Sequence, residues 1–335
     1  MATAHRPLVV STLPRSLYLE TTNRCDSKCQ TCIRTFTSLE PPADLTLEQV
    51  KTITEQFPVL ERVVLHGIGE PLLNREIFAI VAYLKSRAVT VLFNSDAISL
   101  TATRALRLIE SGLDEYRVSM DAATRQTYRR LRGVDQFDRV VANVRRLVEL
   151  ERERSRSAPR VSLWFTASRA NLHELLAFVQ LAADLGVHEV YVQRLVFNGL
   201  GFATAENALH GRLRRQEQEL LDQAEALARE RGVALRASGL TTPLASLKGE
   251  TSNPRPWAGC QRPWTLSYVT ANGNVLPCCI SPWVARDYQA LMLGNALAEP
   301  FADIWNGDRY RRFRNDFESE SPPDPCRGCG LLWSI

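Results

Sequence analysis

Between residues 16 and 193 the chain alternates short, continuously apolar runs with longer helical patterns. That alternation constrains its fold more than any other feature. The runs are SLYLETT (16–22), RVVLHG (62–67), VTVLFN (89–94), EYRVSM (115–120), RVSLWFT (160–166) and EVYVQ (189–193). Helical periodicity fills 46–57, 74–87, 101–112, 137–152 and 171–185 between them. Strands without polar alternation have both faces covered, so the pattern predicts a parallel sheet with helices packed outside it. Six such units are too few to close an eight-unit barrel, which makes an open, partial (β/α)6 TIM-like barrel over 16–235 the expected α/β fold. Residues 1–15 read as an N-terminal extension and 236–335 as a smaller appended region. That region holds a loop-like stretch (241–260), a hairpin turning at Asn272-Gly273 (265–279) and a helical segment near 301–318.

The eight cysteines fall into two groups, 25/29/32 and 260/278/279/326/329. No segment is apolar enough to span a bilayer and the N-terminus lacks a signal-peptide core, so a cytoplasmic location with reduced thiols is expected. Clustered thiols then point to metal binding. A net charge of only +4 gives no case for nucleic-acid or membrane binding.

Cys25, Cys29 and Cys32 follow the first strand directly, where barrel chemistry collects. Three thiolates on one short loop suit three irons of a cubane and leave a fourth iron open to the amino and carboxylate groups of S-adenosylmethionine (SAM). A reduced cluster can pass one electron to the sulfonium, breaking a C–S bond and yielding a 5′-deoxyadenosyl radical; the cofactor performs that chemistry and the protein aims it. The bland alternative is structural zinc, which wants four closed ligands.

With this C-x3-C-x2-C run, the chain resembles the radical SAM superfamily. His66-Gly67-Ile68-Gly69-Glu70-Pro71 looks like that family's GGEP element, in which Gly67, Gly69, Glu70 and Pro71 would receive the methionine amino group. Asn94-Ser95 resembles the T-N-G position, and Ser119-Met120-Asp121 the S-x-D segment near the SAM ribose. Arg132-Gly133 and Asn171 fall where relatives carry polar SAM-side residues. Two departures are Thr31, where relatives often have an aromatic residue against the adenine, and Ile68; both imply altered adenine packing. The resemblance also implies a one-electron donor such as flavodoxin or ferredoxin.

Cys260, Cys278, Cys326 and Cys329, on a hairpin and a terminal C-x2-C, resemble the twitch version of the SPASM auxiliary-cluster domain, which implies one further [4Fe–4S] cluster with four protein ligands. Taken alone, the same four residues also fit a zinc ribbon. Cys279 can replace Cys278 as ligand, donate a hydrogen atom, or simply be buried.

The cysteine motif begins 25 residues from the N-terminus, which leaves no room for an N-terminal peptide-recognition domain and favours a small substrate. Twitch enzymes of this size resemble aminocyclitol dehydrogenases and sugar- or nucleoside-modifying enzymes of antibiotic biosynthesis, acting by oxidation, dehydration or decarboxylation. Candidate substrate contacts are Glu20, Trp164, Gln193, Arg194 and Asn198, with Arg194 able to hold a carboxylate bidentately. Trp257, Trp264 and Trp283 can line the cavity or shield the second cysteine group, with shielding and packing the favoured reading, and His66 reads as a supporting residue beside the glycine turn. Rival readings are modification of a peptide or protein side chain and, in another class, a non-catalytic iron–sulfur or zinc-binding protein.

Overall fold

The computed structural model describes residues 6–154, 158–196, 198–239, 241–249, 255, 257–284, 287–327 and 329. Six strands fall where the apolar runs predict them: β1 (Ser16–Leu19), β2 (Arg62–Leu65), β3 (Thr90–Ser95), β4 (Glu115–Ser119), β5 (Arg160–Ala167) and β6 (Glu189–Arg194). Four more follow: β7 (Ala234–Ala237), β8 (Leu266–Val269), β9 (Asn274–Leu276) and β10 (Gly294–Asn295). The single sheet runs β10-β9-β8-β1-β2-β3-β4-β5-β6-β7, so it ends at two different strands and stays open. Leu17, Leu19, Val63, Val64, Leu65, Val91 and Phe93 are fully buried, which is why these runs show no polar alternation.

Two strands, β7 and β10, were not read from the sequence. β7 is the short edge run ALRA, exposed enough to look like loop. β8 belongs to the expected hairpin, with Tyr268 opposite Leu276 and Val269 opposite Val275. It also pairs parallel with β1, from Ser16 opposite Leu266 to Leu19 opposite Val269. The appended region therefore continues the barrel sheet.

Helices α1 (Leu47–Thr54), α2 (Ile77–Ser86), α3 (Ala102–Glu110), α4 (Arg125–Arg132), α5 (Phe137–Glu153), α6 (Leu175–Leu185) and α7 (Arg215–Arg231) cover the sheet. Thr46 opens α1 with a capping box to Gln49, satisfying two otherwise orphaned N–H groups. α4 was missed because half of its sequence, RQTYRRLR, is arginine and only Tyr128 and Leu131 are apolar enough to mark a buried face. The expected 301–318 helix is two, Phe301–Trp305 and Asp308–Glu318, broken at Asn306-Gly307. Part of the stretch expected as loop forms the helix Pro243–Lys248, capped by Thr242.

The N-terminal segment staples the appended region. Arg6 pairs with Glu318 at 2.6 Å and donates to the carbonyls of Cys260 and Ala258. Leu8 and Pro7 accept from Arg314 and Trp264.

Candidate functional site

Strand polarity places the C-terminal ends of β1–β6 around one cavity, and Cys25, Cys29 and Cys32 all line it. Its volume is about 170 Å³. Burial raises all three thiols, Cys32 to about 12, so in the metal-free site they stay protonated and only a cation makes thiolates favourable there.

The cysteine loop is positioned by backbone contacts. Lys28 N donates to Arg132 O at 3.1 Å and Gln30 N to Leu131 O at 2.7 Å, docking the loop on the end of α4. Gly133 caps α4 at φ +70°, and a Cβ there would stand 2.1 Å from Lys28 O. Gly69 allows the matching approach from the other side: a Cβ would lie 2.1 Å from Thr22 O. Glycine is needed at both positions because backbone passes backbone.

Gly67, Gly69, Glu70, Asn94, Ser119 and Asp121 line the cavity, as the resemblance implies. The Glu70 carboxylate is buried and already engaged. It accepts from Leu72 N and Ser95 Oγ at 3.0 and 2.8 Å and from Asp96 N at 2.7 Å, tying the turn after β2 to the end of β3. Asp121, at φ +63°, accepts from Thr166 N at 2.7 Å and from Arg132 Nη1 at 3.0 Å. Burial opposes the Arg132 charge, and the pair with Asp121 holds the guanidinium ionised beside the thiols. Its Nε is buried without a partner.

Three expected contacts are set back from the cavity. Asn171 is fully buried and braces the Asp121 loop, donating to the carbonyls of Asp121 and Thr166 at 2.9 and 3.0 Å. Pro71 starts the short turn after Glu70. Glu20 is not a substrate contact here: it accepts from Ile68 N at 2.8 Å, Tyr268 Oη at 2.7 Å and Ala271 N at 3.2 Å. A Cβ on Gly67 would strike it. Burial lifts this carboxyl to about 7 against those three donors.

Asp96 was overlooked, although it directly follows Asn94-Ser95. Its Oδ2 accepts from Ser27 Oγ at 2.6 Å and lies 3.9 Å from Cys25 Sγ. Cys25, Asp26 and Asp96 place one ligand atom each within 4.8 Å of one another. Gln193, Arg194 and Trp283 line the cavity with Thr166 and Ile280, while Trp164, Asn198, Trp257 and Trp264 do not. Trp164 instead stacks on Tyr191 with ring centres 4.2 Å apart. His66 sits between Tyr18 and Trp283, its centroid 6.1 Å from each. Burial and nearby Arg117 lower it to about 4, which keeps it neutral near pH 7.

The second cysteine group forms a separate apolar cage. Cys260, Cys278, Cys326 and Cys329 line it with Trp257, Arg262, Pro263, Phe313, Phe317 and Pro325, around about 20 Å³. Cys279 is turned away from this cage. It is 5% exposed and hydrogen-bonded to Tyr18, which leaves Cys278 as the fourth sulfur on the cage wall. Arg262 stands beside these thiols.

Both sites fit iron–sulfur chemistry: three thiols share a polar cavity, and four line a smaller, mostly apolar one. A model of the radical SAM superfamily matches residues 19–157, and a model of the SPASM iron–sulfur cluster-binding domain matches 260–330. The chain is 24% identical over 336 residues to an AdoMet-dependent heme synthase of Methanosarcina barkeri, covering 97% of this chain and 90% of the relative. It is 24% identical over 306 residues to a pre-heme d1 synthase of Dinoroseobacter shibae, covering 85% and 72%. SuiB of Streptococcus suis bound to S-adenosylmethionine shares the fold, with a TM-score of 0.71 at 18% identity over 98% of this chain and 73% of SuiB. The chain thus carries a radical SAM domain, which binds a [4Fe–4S] cluster and SAM, and a SPASM domain, which binds auxiliary iron–sulfur.

Proposed function

We propose that this enzyme abstracts a hydrogen atom from a small polar molecule of sugar, aminocyclitol or nucleoside type, leading to oxidation, dehydration or decarboxylation. The carrying observation is the wall of the cavity. Beyond the thiols and the glycine turn, it is built from the polar ends of β5 and β6 (Thr166, Gln193, Arg194) and from Ile280 and Trp283 of the SPASM region. Cys25, Cys29 and Cys32 would hold the cluster that supplies one-electron reduction of SAM, and Cys260, Cys278, Cys326 and Cys329 would hold one that supplies a one-electron acceptor.

The residues around these groups bind, orient and exclude water. Gly67 and Gly69 let the turn pack directly on Glu20 and on the backbone of Thr22, which fixes its place on the cavity wall. Arg132 and Ser119 offer cationic and hydroxyl donors for a carboxylate. Ile280, Leu195 and Trp283 give the cavity apolar cover, which protects a reactive carbon centre from water. The SuiB structure bound to precursor peptide SuiA makes a peptide the rival substrate, on fold likeness alone.

The test is anaerobic reconstitution followed by reduction with dithionite or flavodoxin. The whole chain should bind about eight irons, the sum of two four-iron clusters, and form 5′-deoxyadenosine from SAM. Cys25, Cys29 and Cys32 together changed to Ala should leave one cluster and abolish that product. Persistent 5′-deoxyadenosine in the triple variant would sink the site assignment. Deuterium transfer from a short peptide, but from no sugar, cyclitol or nucleoside, would sink the substrate class.

A further inference from the structure

Among the described residues, the wall of the four-cysteine cage carries one charged side chain, Arg262. It opens the short helix Arg262–Thr265, and its backbone N–H donates to Cys260 Sγ. Its guanidinium acts on Cys260, Cys278, Cys279 and the Tyr18 hydroxyl together, so its charge reaches both the cage and the Cys279–Tyr18 pair. That side of the cage is the one turned toward the first cavity. Tyr18 packs against His66 with ring centres 6.1 Å apart, and Ile280 and Trp283, on the turn that follows Cys278, line the cavity with His66.

Position singles Arg262 out from the other arginines of this region. Arg6 is paired with Glu318 at 2.6 Å and donates to the carbonyls of Cys260 and Ala258. Arg314 donates to the carbonyls of Pro263, Leu8 and Trp305 and lies over the rings of Trp305 and Tyr310. Neither is on the cage wall. Asp324 acts on Cys326 but is not on the wall either. The first site is built differently: Glu70, Asp96 and Asp121 share its wall with Arg132 and Arg194, so charges of both signs offset there. The cage presents its sulfurs with a cation and, among the described residues, with no carboxylate on the wall.

A cluster with four thiolate ligands is an anion and becomes more negative on reduction, and its potential follows nearby charge, burial and hydrogen bonds to sulfur. A guanidinium keeps its proton at any working pH, and apolar surroundings strengthen its field. We propose that Arg262 raises the reduction potential of the cluster that Cys260, Cys278, Cys326 and Cys329 would hold, so that this site takes up an electron more readily than its thiolates alone would allow. The inference rests on the reading of the cage as a one-electron acceptor. Uptake in the test below is of one electron from dithionite; no bond forms or breaks at Arg262, and its guanidinium keeps its proton throughout.

The experiment is an EPR-monitored redox titration of the reconstituted full chain with dithionite. The same titration with Cys25, Cys29 and Cys32 together changed to Ala identifies the signal of the second cluster. Arg262→Gln removes the charge and keeps a polar side chain. It should hold as much iron as wild type, and its second cluster should be harder to reduce by about tenfold in the equilibrium, about 59 mV for one electron. The midpoint of the first cluster should stay where it is. Arg262→Lys, which restores a cation, should recover most of the shift.

An unchanged midpoint in Arg262→Gln at full iron content overturns the proposal. So does an equal drop in Arg262→Lys, because charge is then not the cause, or an equal drop in the first cluster. Loss of iron in Arg262→Gln makes the residue a structural support of the cage and overturns it too, as does a wild-type second cluster that dithionite leaves oxidised. A wild-type chain that binds a single cluster overturns instead the reading of the cage on which the inference rests, so the two failures are separable.

Discussion

The two cysteine sites use the same ligand atom in opposite surroundings. At the first, three thiols stand on a loop between backbone-tight glycine turns and share their cavity with Glu70, Asp96, Asp121 and Arg132. At the second, four thiols face each other across a cage of tryptophan, phenylalanine and proline. An open coordination position is useful only where polar groups can receive a ligand and keep it oriented. A closed, dry cage keeps water from a cluster and lets neighbouring charge set its properties. The surroundings therefore assign the two roles better than the number of cysteines does.

The largest effect that can break this contrast concerns the adjacent pair Cys278-Cys279. Cys278 lines the cage and Cys279 is turned toward Tyr18. Cys278→Ala should lose about half of the bound iron, one of two clusters of equal size, while Cys279→Ala should keep nearly all of it. Iron analysis with the 400 nm absorbance decides between them. Equal loss in both variants would mean that the cage exchanges one sulfur for the other and is less closed than its geometry indicates.

The first site was largely legible in the sequence, and the reason is physical. Its residues sit at the ends of consecutive apolar strands, so order along the chain becomes order around the cavity. Cys25, Gly67, Asn94, Ser119 and Arg194 fall on one rim through strand polarity alone. What stayed hidden depended on distance in sequence. Nothing local announces that β8 pairs with β1, or that Ile280 and Trp283 return to the cavity. For the same reason Glu20 read as a substrate contact: its partners Tyr268 and Ala271 lie some 250 residues away. Asp96 was hidden differently, since a carboxylate after a strand is common and only its closeness to Cys25 marks it.

Glu20 also makes the two sites one mechanical unit, and that gives the next prediction. Its carboxylate receives donors from the glycine turn and from the SPASM hairpin at once. Glu20→Gln preserves shape but sets an amide N–H against one of three donors, which should cost about 1–3 kcal/mol as an unmet buried hydrogen bond. A Tm lower by a few degrees, together with weaker SAM binding at the first site, is the expected outcome. An unchanged Tm, or a loss confined to the second cluster, would show that the two sites are coupled elsewhere.

The smallest effect is a pH dependence at His66, which packs between Tyr18 and the SPASM residue Trp283. Its folded-state pKa of about 4 lies below the ordinary 6.5 because burial, and then Arg117, oppose the charge. The folded state therefore binds fewer protons than the unfolded one between these values. The His66 contribution is complete above pH 6.5 and is lost as pH falls toward 4. Glu20 acts in the opposite sense, since its raised pKa of about 7 makes its contribution fall as pH rises through the same interval. The raw stability of wild type can thus be flat, and the diagnostic quantity is the difference from His66→Gln. In urea unfolding of the metal-free protein, wild type should lose roughly 1–2 kcal/mol more than the variant between pH 7 and pH 5. Parallel curves would mean that the imidazole is solvated, and that the contact between the glycine turn and Trp283 is looser than the packing of its rings.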